Sequence, residues 1–201
     1  MAGGDPVSSL VLATRNPHKL REFERLLAPA SIAVEPLPEG VVLPPEDGET
    51  FIDNALPKAR AAAAATGRAA IADDSGIEAQ ALGGRPGVHS ARYAGPDATD
   101  GQNLAKLVAE APAGSALRYV CALAYVDPSR GGEERVFFGY CSGVLARAPR
   151  GSGGFGYDPA FVPEGEPGGR TMAELSDEEK DAISHRGAAA AELVGWLSGS
   201  R

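Results

Sequence analysis

A mixed-sheet α/β fold is predicted by three features of the chain. It opens strand–turn–helix, it then places an Ala-rich helix before another strand, and it later runs two alternating strands in succession. βα units followed by a hairpin favour a mixed sheet over a purely parallel one.

Residues 9–13 (SLVLA) are a short apolar run, as in a buried strand. Thr14 to Pro17 have turn chemistry, and Pro17 stands where a helix can begin. Leu20, Phe23, Glu24, Leu26 and Leu27 continue at helical spacing, and residues 32–37 read as a second strand. Residues 44–49 (PPEDGE) form an acidic loop, and residues 50–66 an Ala-rich helix closed by Gly67. Pro57 inside that helix lacks a backbone donor and should kink it. Residues 69–72 form a strand that ends at Asp73-Asp74-Ser75-Gly76, and residues 82–96 a long loop. Residues 99–110 are helical, with Leu104, Leu107 and Val108 on one face. Residues 117–126 and 135–145 alternate like antiparallel strands joined through Gly131-Gly132. A flexible loop, residues 149–156, leads to Tyr157-Asp158-Pro159 and a short strand at Phe161-Val162. Residues 176–197 read as a short helix, a break near Ser184-His185-Arg186, and a closing helix through Trp196.

The length of 201 residues suits a single domain over the whole chain, with residues 1–8 as a flexible tail. The 43% hydrophobic content is enough for a packed core, and the 26 Gly and 16 Pro fall between periodic segments. A net charge of −8 opposes binding to a nucleic-acid polymer, but a small phosphorylated ligand can still be held by local cations or a metal. Cys121 and Cys141 have neither zinc nor disulfide spacing and read as buried reduced thiols. The N-terminus has no basic region followed by an apolar run, and no segment approaches the roughly 20 apolar residues of a membrane span. A cytoplasmic protein without a membrane partner is expected.

Four loops carry candidate chemistry. Thr14-Arg15-Asn16-Pro17-His18-Lys19 joins a strand to a helix N-terminus, where free N–H groups suit phosphate; the alternative is a helix cap by Thr14 or Asn16 with Lys19 exposed. Asp73-Asp74-Ser75 places adjacent carboxylates where a hard cation is a natural partner, with Glu46 and Asp53 as further ligands; the alternative is a capped turn. Phe155 and Tyr157 stand among glycines, where an aromatic can stack on a base or plug a mobile loop. Lys180, His185 and Arg186 cluster at the last helical break. A phosphate loop, a metal loop, a base loop and a cationic cluster together describe a nucleotide enzyme.

Five blocks, LVLATRNPHKLREFERLL, GETFIDNALPKA, AIADDSGIEAQALGGRPGVHSARYAG, GGFGYDPAFVP and ELSDEEKDAISHRG, occur in an order that resembles the inosine-triphosphate pyrophosphatase (RdgB-like) family over nearly the whole chain. The resemblance implies two α/β lobes around a long mixed sheet with a nucleotide-binding cleft between them, and a homodimer. It implies hydrolysis of ITP, dITP and XTP at the α–β bond, giving the monophosphate and pyrophosphate, with Mg²⁺ as cofactor and Mn²⁺ able to substitute. Thr14, Arg15, Asn16, Pro17, His18 and Lys19 would hold the triphosphate, and Lys58 would point at phosphate. Asp74 would be general base and metal ligand, with Glu46 a second ligand and Asp73 in support. Ser75 would touch the substrate. Phe155, Gly156, Tyr157 and Asp158, with Lys180, His185 and Arg186, would form the base and sugar pocket. Donors such as Arg186 or backbone N–H groups would meet the 6-keto oxygen of hypoxanthine or xanthine and be left unpaired by adenine. Two departures stand out: Arg15 replaces a frequent glycine, and Pro57 precedes Lys58.

Rival readings are a Maf-like pyrophosphatase for other abnormal nucleotides, a silent nucleotide sensor, and a nucleic-acid binder. Substrate profiling separates the first. The intact Asp73-Asp74-Ser75 block, with Lys180 and His185-Arg186, opposes the second, and the net charge opposes the third.

Overall fold

A computed structural model describes residues 7–199. Five helices and six strands follow in the order β1 (Ser9–Leu12), α1 (Pro17–Leu27), β2 (Ala33–Pro36), α2 (Phe51–Thr66), β3 (Ala70–Ala79), α3 (Asp100–Glu110), β4 (Ala116–Asp127), β5 (Glu133–Leu145), β6 (Phe161–Pro163), α4 (Asp177–Ile183) and α5 (His185–Gly199) among the described residues. The strands form one sheet in the order β2-β1-β3-β4-β5-β6. β1 pairs parallel with β2 and β3, and β5 pairs antiparallel with β6, so the sheet is mixed as expected.

The helices start where their caps put them. The Asn16 side chain accepts from the backbone N–H groups of His18 and Lys19, with Pro17 at the first position of α1. Thr50 with Asp53, Thr99 with Gln102 and Ser176 with Glu179 make reciprocal capping boxes for α2, α3 and α4. α2 ends at Gly67, whose φ of 66° suits a residue without Cβ. It continues across Pro57 to Thr66. Its buried Ala55, Ala59, Ala62 and Ala63 recur at helical spacing, and small side chains on that face let the helix pack closely.

Two expectations need correction. β3 does not stop before the acidic pair but runs through Asp73, Asp74, Ser75 and Gly76 to Ala79. The charges hid the strand, because their partners lie far away in sequence. The segment 82–96 contains short 3₁₀ turns, including Gly87–Arg92, rather than being wholly irregular. Of the expected tail, residues 1–6 lie outside the described residues. Val7 packs on the core and the Ser8 carbonyl accepts from Ala33 N at 2.9 Å.

The chain divides into two compact units. One takes the described residues up to Asp74, then Cys121–Gly139, then those from Arg186 on; the other takes Ser75–Val120 and Tyr140–His185. The first is built on Leu10, Leu12, Phe23, Leu27, Ile71, Leu123, Tyr125 and Leu193, with Trp196 edge-on to Tyr125 at 5.3 Å. The second is built on Ile77, Leu107, Tyr119, Leu145, Tyr157, Phe161 and Met172. Cys121 and Cys141 are buried free thiols, and burial pushes the Cys141 thiol up to about 11. Among the described residues no helix is long and apolar enough to cross a membrane.

Candidate active site

Successive residues of a strand point to opposite faces, and this separates the two adjacent carboxylates. Asp73 meets Lys19 Nζ at 3.0 Å and accepts from Arg186 Nε at 3.2 Å, with its side chain fully buried. Arg186 Nη1 donates onward to Glu22 Oε2 at 3.0 Å. Burial pushes the Asp73 carboxyl up, but Lys19, Arg186 and Lys58 outweigh it and hold the group well below the usual carboxylate range. Asp74 behaves oppositely. It accepts from Asn54 Nδ2 at 3.0 Å, and burial raises its proton affinity above that of an ordinary aspartate. Lys58 and the Asn54 hydrogen bond oppose that rise, and the nearby Glu46 adds to it. One carboxylate is therefore a fixed anion and its neighbour is suited to take a proton.

Lys58 is buried and donates to Glu46 Oε1 and, at 2.8 Å, to the Asp73 carbonyl. Pro57 therefore does not turn it away from the carboxylates. Burial lowers the proton affinity of Lys58, but Asp73 and Glu46 more than restore it, so the ammonium stays charged. Asp74 and Glu46 supply hard oxygens close enough to raise the charge cost at Asp74. Among the described residues no group of three or more His, Cys, Asp or Glu could form a metal cage. The Asp74 and Glu46 carboxylates are hard oxygen donors of the chemistry that Mg²⁺ takes together with substrate phosphates. Asp73, by contrast, already has its charge met by Lys19 and Arg186.

In the loop before α1 the cap falls to Asn16, and Lys19 is engaged rather than exposed. The Thr14 hydroxyl accepts from Asn16 N at 3.1 Å, and Asn16 caps the helix. Lys19 is not simply exposed, since it pairs with Asp73. Arg15 donates to the carbonyls of Leu37, Pro38 and Val41 at 2.7, 2.9 and 3.0 Å. It thereby holds the turn that precedes the acidic loop, a turn in which Gly40 has a φ of 85°. His18 is exposed, with its Nδ1 3.0 Å from an Arg21 guanidinium nitrogen.

In the second unit Asp158 is the centre of a buried cluster. It accepts from Lys180 Nζ at 2.7 Å, from the Tyr119 hydroxyl at 2.9 Å and from Phe155 N at 2.9 Å. Lys180 also lies 5.1 Å from the Phe155 ring centre. His185 stacks on Tyr119 with centroids 4.6 Å apart and planes 6° from parallel. Phe155 is half-buried, whereas Tyr157 is a core residue whose hydroxyl donates to the Ser90 carbonyl at 2.7 Å. Gly156 N donates to Asp100 at 3.1 Å, and Ser75 is half-buried within β3. A groove of about 650 Å³ in this unit, lined in part by Glu78, Arg118, Val144 and Glu164, includes none of the predicted site residues.

The sequence reading thus finds its residues in two groups. Thr14 to Lys19, Glu46, Lys58, Asp73, Asp74 and Arg186 belong to the first unit; Ser75, Phe155 to Asp158, Lys180 and His185 belong to the second. Three participants were missed. Glu22 follows Lys19 by three positions, on the same helical face, and Asn54 precedes Lys58 by four, so spacing offered a signal for both. Tyr119 offered none, as one aromatic in an alternating strand.

Residues 10–196 match the profile of the Ham1 family. A dITP/XTP pyrophosphatase of Symbiobacterium thermophilum is 52% identical over 187 residues, covering 92% of each chain. One of Geobacillus kaustophilus is 47% identical over 194 residues, covering 93% of each. The solved structure of a HAM1 protein from Coxiella burnetii has a TM-score of 0.82 and 40% identity, covering 95% of this chain and 98% of that one. A profile match spanning both units, with relatives aligned almost end to end, leaves one conclusion: the chain belongs to the Ham1 family.

Proposed function

We infer that this protein hydrolyses non-standard purine nucleoside triphosphates, ITP, dITP and XTP among them, to the monophosphate and pyrophosphate, and so cleanses the nucleotide pool. The carrying observation is the divided acidic pair: Asp73 is ion-paired with Lys19 and Arg186, and Asp74, on the opposite face of β3, is bonded by Asn54 and has no such cation bonded to it among the described residues. Relatives named dITP/XTP pyrophosphatase support the substrate class.

Asp74 orients the attacking water and takes its proton as the water adds to the α-phosphorus and the bond to pyrophosphate breaks. Lys19 and Lys58 keep the phosphate region cationic, and the Thr14–Lys19 loop receives the triphosphate. Mg²⁺, or Mn²⁺ in its place, held by Asp74 and Glu46 would neutralise phosphate charge and stabilise the departing pyrophosphate. Phe155 offers its face to the base. Asp158 holds Lys180 and the Phe155 backbone in place, Tyr157 supports the loop from the core, and His185 supplies a donor toward the 6-keto oxygen, while Arg186 anchors Asp73. We place the protein in the cytoplasm as a homodimer.

A pyrophosphate-release assay across ITP, XTP, GTP, ATP and pyrimidine triphosphates tests this reading. ITP should give IMP and pyrophosphate, and excess EDTA should abolish turnover. IDP with orthophosphate as first products, or full activity in EDTA, would overturn it. Phe155→Ala should raise KM for ITP about tenfold, within the range for losing one base stack, and leave the melting temperature nearly unchanged. An unaltered KM would remove Phe155 from the base site. Light scattering at micromolar concentration should give twice the 20.6 kDa chain mass; a monomer alone would contradict the dimer.

A further inference from the structure

Asn54 is buried on the first turn of α2 and joins two parts of the site. Its Oδ1 accepts from Gly48 N at 2.8 Å, and its Nδ2 donates to Asp74 Oδ2 at 3.0 Å. The amide orientation is forced, because a backbone N–H only donates and must face the oxygen. The nitrogen is then turned to the carboxylate. Gly48 is shaped for this contact: a Cβ there would come within 2.5 Å of Asp53 Cβ and 2.7 Å of Asn54 Oδ1. The Gly48 bond anchors the acidic loop, two residues beyond Glu46.

We propose that Asn54 is the positioning residue of the hydrolytic centre, setting the Asp74 carboxylate and the loop that carries Glu46 in fixed relation through one amide. This rests on the assignment of Asp74 as base and Glu46 as ligand. Asn54 occupies Oδ2 of Asp74 and leaves Oδ1 to face the reacting water. A side chain that merely filled the helix start would not need a donor on one end and an acceptor on the other.

Asn54→Asp keeps the shape and the acceptor toward Gly48 but replaces the donor toward Asp74. In the full chain, kcat for ITP should fall about 100-fold, the scale of a small misplacement of a reacting group, with KM changed less than about threefold. Hydrogen exchange at the Gly48 amide should stay near wild type, while the melting temperature should fall, because two buried carboxylates in hydrogen-bond contact cannot both stay ionised. Asn54→Ala should lose the Gly48 protection as well. A kcat within about threefold of wild type in Asn54→Asp overturns the proposal, as does a slowing of turnover only in step with lost Gly48 protection. Should Asn54→Asp fail to fold, Gly48→Ala displaces the loop from the other side, and turnover lowered at least about tenfold supports the same role while unchanged turnover refutes it. Asp74→Asn run in parallel separates the two levels. An active Asp74→Asn removes the base assignment and Asn54 with it; an inactive Asp74→Asn beside a fully active Asn54→Asp removes Asn54 alone.

Discussion

Asp74→Asn is expected to lower turnover of ITP by at least about 10²–10⁴-fold, the range typical of a lost general base, while the protein still folds. The amide keeps the shape of the side chain and can no longer take a proton or offer two anionic oxygens. The wild-type carboxylate is penalised by burial and by Glu46, so neutralising it costs the fold little. The melting temperature should therefore hold or rise slightly. The Asn54 Nδ2 donor still finds an oxygen, provided the new amide turns its carbonyl toward it. Steady-state kinetics with a thermal melt on the same sample makes the comparison. Near-normal turnover would show that another group activates the water.

Arg186→Ala should have the largest effect on stability, about 3–5 kcal/mol, because it leaves the buried carboxylates of Asp73 and Glu22 without their shared cation. Lys19 still faces Asp73. Glu22→Gln in the Arg186→Ala background should recover part of the loss. A melting temperature unchanged by Arg186→Ala would mean that the pairs contribute nothing. The same variant reports on recognition: if Arg186 also donates to the 6-keto oxygen, the ratio of ITP to ATP hydrolysis should fall along with stability. A ratio unchanged in the folded fraction would leave Arg186 as an anchor of Asp73 only.

The Asp73 network also sets an acid limit. Its carboxyl is held well below the usual range when folded, while an unfolded aspartate titrates near about 3.9. As pH falls below the unfolded value, the unfolded chain takes up a proton that folded Asp73 refuses. Its contribution is therefore fully present above about pH 4 and is lost progressively on further acidification.

The parts of the fold set by local chemistry were legible in the sequence. Pro17, the leucines of α1, the Thr50 and Thr99 caps and the closing Gly67 act within a few residues of themselves, and those helices lie where the pattern puts them. The acidic strand was not legible. Two carboxylates in a row do not look like buried β-structure, and the cation that permits it, Arg186, lies 113 positions along the chain from Asp73. Phe155 and Tyr157 look equivalent among their glycines, and only tertiary packing makes one half-buried and the other a core residue. Arg15, a departure from the family pattern, gains a reason from its three carbonyl acceptors, which lie more than twenty residues ahead.

The uninterrupted course of β3 through Asp73 and Asp74 has a consequence for how this enzyme can evolve. Two chemically identical side chains are told apart only by parity along the strand. Deleting Ile71, with the upstream pairing kept, would move each later residue back by one place and turn it to the other face. Asp74 would then face Lys19 and Arg186, and Ser75 would stand opposite Asn54. Side-chain replacements in this stretch can be tried one at a time. Changes of length cannot, because a single lost codon would set the base among the anchor's cations and leave a serine where the base stood.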